Sequence, residues 1–367
     1  MRFIDLKSQY QDLKAEIDSN IQKVLDHGQY VLGPEVKESE RLLADFTGAE
    51  HALCCSSGTD ALMLGMMAIG IKPGDEVIVP GFSFFATAEV PSLLGAVPVF
   101  VDVEPDSCLI DVSKIEEKIT SKTRAIVPVG LYGQTADMDE INAIAEKHNL
   151  VVVEDAAQSF GAEYKGKRSG NVAHISGTSF FPAKPLGVYG DGGAVFTNDP
   201  EIAETMRQLR MHGESSRYNH KRIGLNARMD SIQCAVLIPK LKAFPSEIEK
   251  RAQAAQRYDE YLKGIDGLHI VGTKADRTNV FAQYTLIAKG HRDSLREYLG
   301  EKNIPTAIHY PKPMYAQECY QETHGDFKLE NCEMLSESVM SLPMHPYLEG
   351  DLQKGIADEI HNYFAKV

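Results

Sequence analysis

The sequence predicts an α/β fold: a mostly parallel central sheet covered by helices, followed by a smaller α+β domain. Three observations carry this reading. Short apolar runs recur between residues 52 and 197, with helical patterns between them. The first run ends in small residues, Ser56-Ser57-Gly58-Thr59-Asp60, and passes at once into the apolar stretch Ala61 to Met67. That reads as strand, tight turn, helix. After about Asp230 the alternation gives way to longer charged helical stretches. Alternating strands and helices imply parallel strands joined by crossovers, with both sheet faces covered.

Tyr10, Leu13, Ile17, Ile21 and Val24 recur at steps of three and four, one face of a helix that Gly28 ends. Leu32-Gly33-Pro34 reads as a turn. Strands are expected at Ala52–Cys55, Glu76–Val79, Val97–Val103, Ala125–Val129, Leu150–Val153, Ile175–Phe181 and Gly193–Thr197. Ile141, Ile144 and Ala145 mark a helix before the fifth of these. Ile232, Ala235, Val236 and Leu237 predict a helix stopped near Pro239, then a separate charged helix from about Ser246 to Leu262. Residues from about 265 onward mix short strands, such as Gln283 to Ile287, with helices. The expected division is a large domain over 1–240 and a smaller one over 241–367.

Composition narrows the function. The chain has 367 residues, 38 Lys+Arg against 52 Asp+Glu, and a formal net charge of −14. Such an acidic balance argues against a nucleic-acid surface, though not against a locally basic pocket for a small anion. No window reaches the ~18 uninterrupted apolar residues of a membrane span. The start, Met1 to Lys7, soon turns charged and polar with no apolar signal-peptide core, so a cytoplasmic location is expected. Six cysteines contain no C-x-x-C pair; they read as buried free thiols, with Cys54 and Cys55 on opposite strand faces, and no metal site is expected.

Four features carry chemistry. Ser57-Gly58-Thr59 sits at a strand-to-helix turn, where small residues let backbone N–H groups approach an anion. Alone the signal is weak, and the turn reads first as a tight turn with Thr59 as the helix cap. Asp155 closes the apolar run Val151-Val152-Val153, where α/β sheets place ligands, and its carboxylate can hold a cationic ring nitrogen or cap a helix. Lys184 follows the apolar run Gly177–Phe181 and precedes Gly190-Asp191-Gly192-Gly193. A partly desolvated lysine has a lowered pKa and can form a Schiff base with a carbonyl, whereas a lone lysine after a strand is ordinarily solvated. Asp155 and Lys184 are spaced for one strand-loop-strand excursion, so with Ser179 they can share a site. Last, Asn226 and Arg228 follow the basic stretch Arg217 to Arg222, either a solvated loop or an anion clamp.

The ordered set S-G-T-D-A-L, E-D-A-A-Q-S, T-S-F-F-P-A-K and G-L-N-A-R-M-D resembles the fold-type-I pyridoxal-phosphate (PLP) enzymes, and within them the DegT/DnrJ/EryC1/StrS sugar-nucleotide aminotransferases. The likeness runs from Phe3-Ile4-Asp5-Leu6 to Ser341-Leu342-Pro343-Met344-His345-Pro346. The stretches H-G-Q-Y-V-L-G-P-E-V, F-F-P-A-K-P-L-G-V-Y-G-D-G-G-A and A-I-H-Y-P-K-P are most similar to members acting on a UDP-linked 2-acetamido-2-deoxy-3-oxo-hexuronate in O-antigen synthesis.

That resemblance implies roles. Lys184 would bind PLP as a Schiff base and shuttle a proton. Asp155 would keep the ring nitrogen protonated. Gln158 would hydrogen-bond the ring's phenolic oxygen. Phe84 would stack on the ring, with Phe85 as the neighbouring alternative. Gly58, Thr59 and Ser179 would hold the phosphate, and Asn226 would reach it from the second subunit of a homodimer. Arg228 would meet a substrate carboxylate; His309 and Tyr310 would line the sugar-nucleotide pocket. Many relatives carry Asn where this chain has Ser57, which leaves the Gly58 and Thr59 amides in place. Sister dehydratases have His in place of the lysine, so Lys184 implies transamination. L-Glutamate would convert PLP to pyridoxamine phosphate and leave as 2-oxoglutarate, and the UDP-keto-sugar would take the amino group at C3. The alternatives are another nucleotide-linked keto sugar, such as a 4-keto-6-deoxy sugar, a simple keto acid, or a non-catalytic regulatory protein.

Overall fold

The computed structural model describes residues Met1–Val367. Helix α1 (Leu6–His27) starts at Asp5, whose carboxylate accepts from the Ser8 N–H at 3.1 Å, and stops at Gly28 with φ 70°. That left-handed conformation is cheap for glycine, which has no Cβ to clash. The predicted stripe is the buried one: Ile17 and Val24 are fully buried, and Tyr10, Leu13 and Ile21 pack against the core that holds Ile17. Gly33-Pro34 is less a turn than a helix start, because α2 (Pro34–Thr47) begins there, with Pro34 at a position whose N–H has no helical partner in any case.

The central sheet has seven strands. They are β1 (His51–Cys55), β2 (Glu76–Pro80), β3 (Val97–Val101), β4 (Thr123–Ile126), β5 (Val151–Asp155), β8 (Ile175–Ser179) and β9 (Gly193–Thr197); β6 (Glu163–Tyr164) and β7 (Lys167–Arg168) form a separate small hairpin. The spatial order is β1-β9-β8-β5-β4-β2-β3. β3, β2, β4, β5 and β8 pair in parallel, whereas β9 runs antiparallel to both β8 and β1. The reversal follows from the connection: β8 and β9 are joined by a loop without a crossover helix, which parallel pairing would require. Lys184 lies in that loop, at the end of the sheet where β5 delivers Asp155.

Alternate strand residues face opposite layers. Leu53, Cys55, Val77, Val79, Val153 and Val195 pack under α3 (Gly58–Ala68), α4 (Ala86–Leu93) and α6 (Pro200–Leu209). Ala52, Cys54, Ala194 and Phe196 face α1, α2 and α7 (Ser231–Tyr261), and Ile78, Ile126 and Val152 face α5 (Met138–His148). Cys54 and Cys55 thus lie on opposite faces, and both are buried and unpaired. Cys319 departs from the expectation of buried thiols: it is exposed.

The expected break near Pro239 is corrected. α7 (Ser231–Tyr261) is one helix of 31 residues with Pro239 and Pro245 inside it. An interior proline costs a helix about 3 kcal/mol, so packing must hold it together. Cys234, Val236, Leu237, Leu241 and Phe244 lie in the core under the sheet, and Ala254, Ala255 and Tyr258 in the core of the C-terminal part. One rigid helix therefore spans the expected boundary at 240/241. Between α6 and α7 a hairpin of β10 (Glu214–Ser216) and β11 (Asn219–His220) projects. The C-terminal part holds an antiparallel sheet of β12 (His269–Ile270), β13 (Tyr284–Ile287) and β14 (Val339–Leu342), with α8 (Arg292–Glu301), α9 (Gln321–His324), α10 (Glu330–Ser338) and α11 (Gly350–Phe364). Ala307 and Ser341 exchange backbone hydrogen bonds of 3.2 and 2.8 Å, which adds the segment carrying His309 and Tyr310 to the β14 edge.

Candidate active site

The turn between β1 and α3 is built by serines. Ser57 caps α3: its hydroxyl accepts from the Asp60 N–H at 3.1 Å and donates to the Asp60 carboxylate at 2.8 Å. The cap is therefore Ser57, not Thr59. Gly58 is required by space, since a Cβ there would lie 2.6 Å from Ser179 Cβ. Its absence lets the start of α3 abut the end of β8. The first-turn amides of Gly58 and Thr59 have no intrahelical acceptor, and the helix dipole adds partial positive charge. With Ser179 they form one end of a cavity of about 450 Å³.

Asp155 and Lys184 line the same cavity. Asp155 is 7% exposed; Oδ2 accepts from the Thr87 hydroxyl at 2.8 Å and Oδ1 from the Ala157 N–H at 3.1 Å. It heads a turn rather than capping a helix. Burial raises its pKa, against the pull of those two donors and of Lys184. Burial lowers the pKa of Lys184, opposed by the Asp155 charge. An amine and a carboxylate, each with its charged form disfavoured by desolvation, thus face one cavity.

Gln158 is held at both ends: Oε1 accepts from the Tyr132 N–H at 2.9 Å and Nε2 donates to Tyr310 Oη at 3.1 Å. An amide NH₂ has two hydrogens, so one remains for a ligand. Phe84, 52% exposed, lines the cavity with its ring 6.0 Å from that of Tyr310, while Phe85 turns away to pack on Tyr320. His309 and Tyr310 complete the wall. Desolvation lowers the His309 pKa to about 4, with Lys184 adding to the effect.

Asn226 and Arg228 are not brought in. Neither lines the cavity; Asn226 is exposed, and Arg228 Nη1 rests 3.9 Å from Met211 Sδ. Asn226 bridges to Met211, just before the hairpin, and the chain between the hairpin and Asn226 carries Ile223, 90% exposed.

Sequence reasoning missed four residues. Thr87 orients Asp155 from 68 positions away, a contact no local pattern announces. Tyr132 sits at φ 62° so that its N–H meets Gln158, and its hydroxyl donates to the His309 carbonyl. Gln283 lines the cavity with a buried side-chain oxygen that has no partner, and Asp191 also lines it. The G-D-G-G motif around Asp191 was a signal, but no role was attached to it.

This donor set suits one kind of group: a phosphorylated aromatic aldehyde with a basic ring nitrogen. The helix start fits a phosphate, Asp155 a ring cation and Lys184 an aldehyde; the unpartnered Gln283 oxygen shows that the enclosure is built to take a polar guest.

The comparisons with known proteins agree with that geometry. A Pseudomonas aeruginosa protein named UDP-2-acetamido-2-deoxy-3-oxo-D-glucuronate aminotransferase is 51% identical over 349 residues, 95% of this chain and 96% of that one. The structure of S. venezuelae DesV in complex with a ketimine intermediate superposes with a TM-score of 0.97 at 39% identity, covering 100% of this chain and 99% of that one. Bacillus subtilis NtdA with bound cofactor PMP matches with a TM-score of 0.90 at 30% identity, over 98% of this chain and 82% of that one. The profile of one family matches residues 11–361, nearly the whole length, and the chain belongs to that DegT/DnrJ/EryC1/StrS aminotransferase family.

Proposed function

We propose that the enzyme uses pyridoxal phosphate to move the amino group of L-glutamate to C3 of a UDP-linked 2-acetamido-2-deoxy-3-oxo-hexuronate. The products are UDP-2-acetamido-3-amino-2,3-dideoxy-glucuronate and 2-oxoglutarate, and the setting is the cytoplasmic synthesis of O-antigen sugars. The observation that carries the chemistry is the convergence of Lys184, Asp155 and the α3 N-terminus on one cavity. The choice of acceptor is supported by 51% identity to a protein named for that keto sugar.

When bound, the cofactor supplies an aldehyde that condenses with amines and a ring that takes up an electron pair. The chain's residues do the rest. The Gly58 and Thr59 amides and the Ser179 hydroxyl hold the phosphate. Asp155, oriented by Thr87 and Ala157, faces the ring cation and is thereby kept ionised. Gln158 gives its remaining amide hydrogen to the ring oxygen, and Phe84 covers the ring. Lys184 Nζ, whose pKa burial lowers, is favoured in the neutral form that attacks a carbonyl and can then hold the proton that leaves the amino-bearing carbon.

Asn226 and Arg228 act from a second copy in this reading, Asn226 on the phosphate and Arg228 on a substrate carboxylate. Their position outside their own cavity, in a segment that also carries the exposed Ile223, supports a homodimer with shared sites. A guanidinium suits bidentate pairing with a carboxylate.

Purified holoenzyme given L-glutamate and either the UDP-3-keto-hexuronate or a 4-keto-6-deoxy sugar nucleotide tests the reading. Amination of the hexuronate is expected; turnover of only the 4-keto sugar overturns the acceptor. Glutamate alone should change the visible absorbance of the holoenzyme, and a change only with another amino acid overturns the donor.

A further inference from the structure

The S-L-P-M-H-P stretch begins with a residue that touches the site indirectly. Ser341 on β14 lies directly across from Thr285 on β13, and their hydroxyl oxygens are 3.1 Å apart. On its other side Ser341 pairs with Ala307, and two residues on, the period of an extended strand, comes His309. His309 Nδ1 is 3.0 Å from Ser341 Oγ. Three side chains from three adjacent segments therefore form one chain of hydrogen bonds that ends at the cavity wall. Ser341 is wholly buried and Thr285 nearly so.

Counting hydrogens fixes the direction of this chain. The Thr285 hydroxyl has no partner but Ser341. If Nδ1 carried the imidazole proton, it would donate to Ser341 and Ser341 would donate to Thr285. The Thr285 hydrogen would then be stranded inside the protein, a buried donor without an acceptor. The opposite order uses every hydrogen: Thr285 donates to Ser341, and Ser341 donates to Nδ1. A neutral imidazole then carries its proton on Nε2. Nε2 has no partner within the chain and is not enclosed, and His309 lines the cavity.

We propose that Thr285 and Ser341 are positioning residues that lock His309 as the Nε2–H tautomer, making it a hydrogen-bond donor to an acceptor oxygen of the keto sugar, a carbonyl or carboxylate oxygen. This deepens the functional reading and, for the sugar, rests on it. The lock serves specificity because a fixed donor favours an acceptor oxygen and penalises a ligand group that itself donates. Wrong-tautomer binding is excluded by two hydroxyls that never meet the substrate.

Two arms test it on the holoenzyme. In protein labelled with [¹⁵N]histidine, long-range proton–nitrogen correlation reports which ring nitrogen is protonated, and His309→Gln identifies the His309 signals among those of the 12 histidines. Protonation at Nε2 is expected, and Ser341→Ala should yield a tautomer mixture. Protonation of wild-type His309 at Nδ1 overturns the proposal. In kinetics, Ser341→Ala should raise KM for the keto sugar about fivefold with kcat and the glutamate half-reaction little changed. Thr285→Val, which keeps the side-chain shape, should shift KM the same way by less, and Thr285→Ser should restore it. Unchanged tautomer and unchanged KM in Ser341→Ala and Thr285→Val also overturn it. If no keto sugar is turned over at all, the functional reading has failed, and the spectrum alone decides the hydroxyl relay.

Discussion

Two regions of this protein bury charge, the cavity at the sheet's carboxyl edge and the inner face of α7, and they differ in what the charge faces. On α7, Lys240, Glu247 and Arg251 are all buried. Both Glu247 oxygens accept from Gln9 at 2.8 Å, and one also accepts from Tyr347 at 3.2 Å. Arg251 donates to the carbonyls of Phe281 and Met344 at 3.1 and 3.4 Å. Lys240 Nζ has no hydrogen bond and lies 4.9 Å from the centre of the Tyr189 ring. Burial lowers Lys240 to about 8, just as it lowers Lys184. A desolvated lysine is thus not by itself the mark of a reactive site. The mark is convergence: Lys184 shares a cavity with Asp155 and a helix N-terminus, whereas on α7 Glu247 and Arg251 meet fixed protein partners and Lys240 faces the Tyr189 ring.

The sharpest way to break this contrast is to remove each lysine. Lys184→Ala should lower transamination by at least about 10³-fold, while Lys240→Met should leave turnover unchanged. Steady-state rates with equal cofactor loading check it, and an equal loss in both variants would erase the distinction. Asp155→Asn should follow, with a loss of about 10²-fold in the rate of the amino-donor half-reaction, because the carboxylate opposite the ring cation is gone. Stopped-flow absorbance measures that step directly.

Much of this was legible in the residues, for physical reasons. Strands buried on both faces are continuous apolar runs, so the sheet stood out, and Asp155 and Lys184 could be paired because their spacing fits one strand-loop-strand excursion, Asp155 ending β5 and Lys184 following the neighbouring β8. α2 was hidden because Ser39 and Thr47 share its buried stripe with Val36 and Leu43, which blurs the apolar period. The unity of α7 was hidden because proline's local penalty is visible in sequence, while the packing that outweighs it is not. Thr87 and Tyr132 act through contacts between distant segments, and nothing in their neighbourhoods signals a role.

Smaller effects sharpen the contrast further. Gly58→Ala should push α3 off Ser179, cost about 1–3 kcal/mol of stability by overpacking, and weaken retention of the cofactor, measured by denaturant melts and by dialysis. The effect on α7 concerns stability alone. The folded pKa of Lys240, about 8, lies below its ordinary value of 10.5, so between those values the unfolded chain holds more protons. Wild-type stability therefore gains, from this residue, as pH rises from about 8 to 10.5, and below that window the cost of burying the charge is fully present. Lys240→Met should be the more stable protein at pH 7, with the difference shrinking toward pH 10.5 in parallel melts. A constant difference across that window would show that the Lys240 charge is not what costs stability.

The central claim is that the amine at position 184 is the one that condenses with an aldehyde held in the cavity. Borohydride reduction of the holoenzyme, followed by peptide mapping, tests it directly. The account predicts that the fixed label falls on the peptide containing Lys184 and is absent from Lys184→Ala. A label on Lys240 or any other side chain, or no label at all, would contradict it.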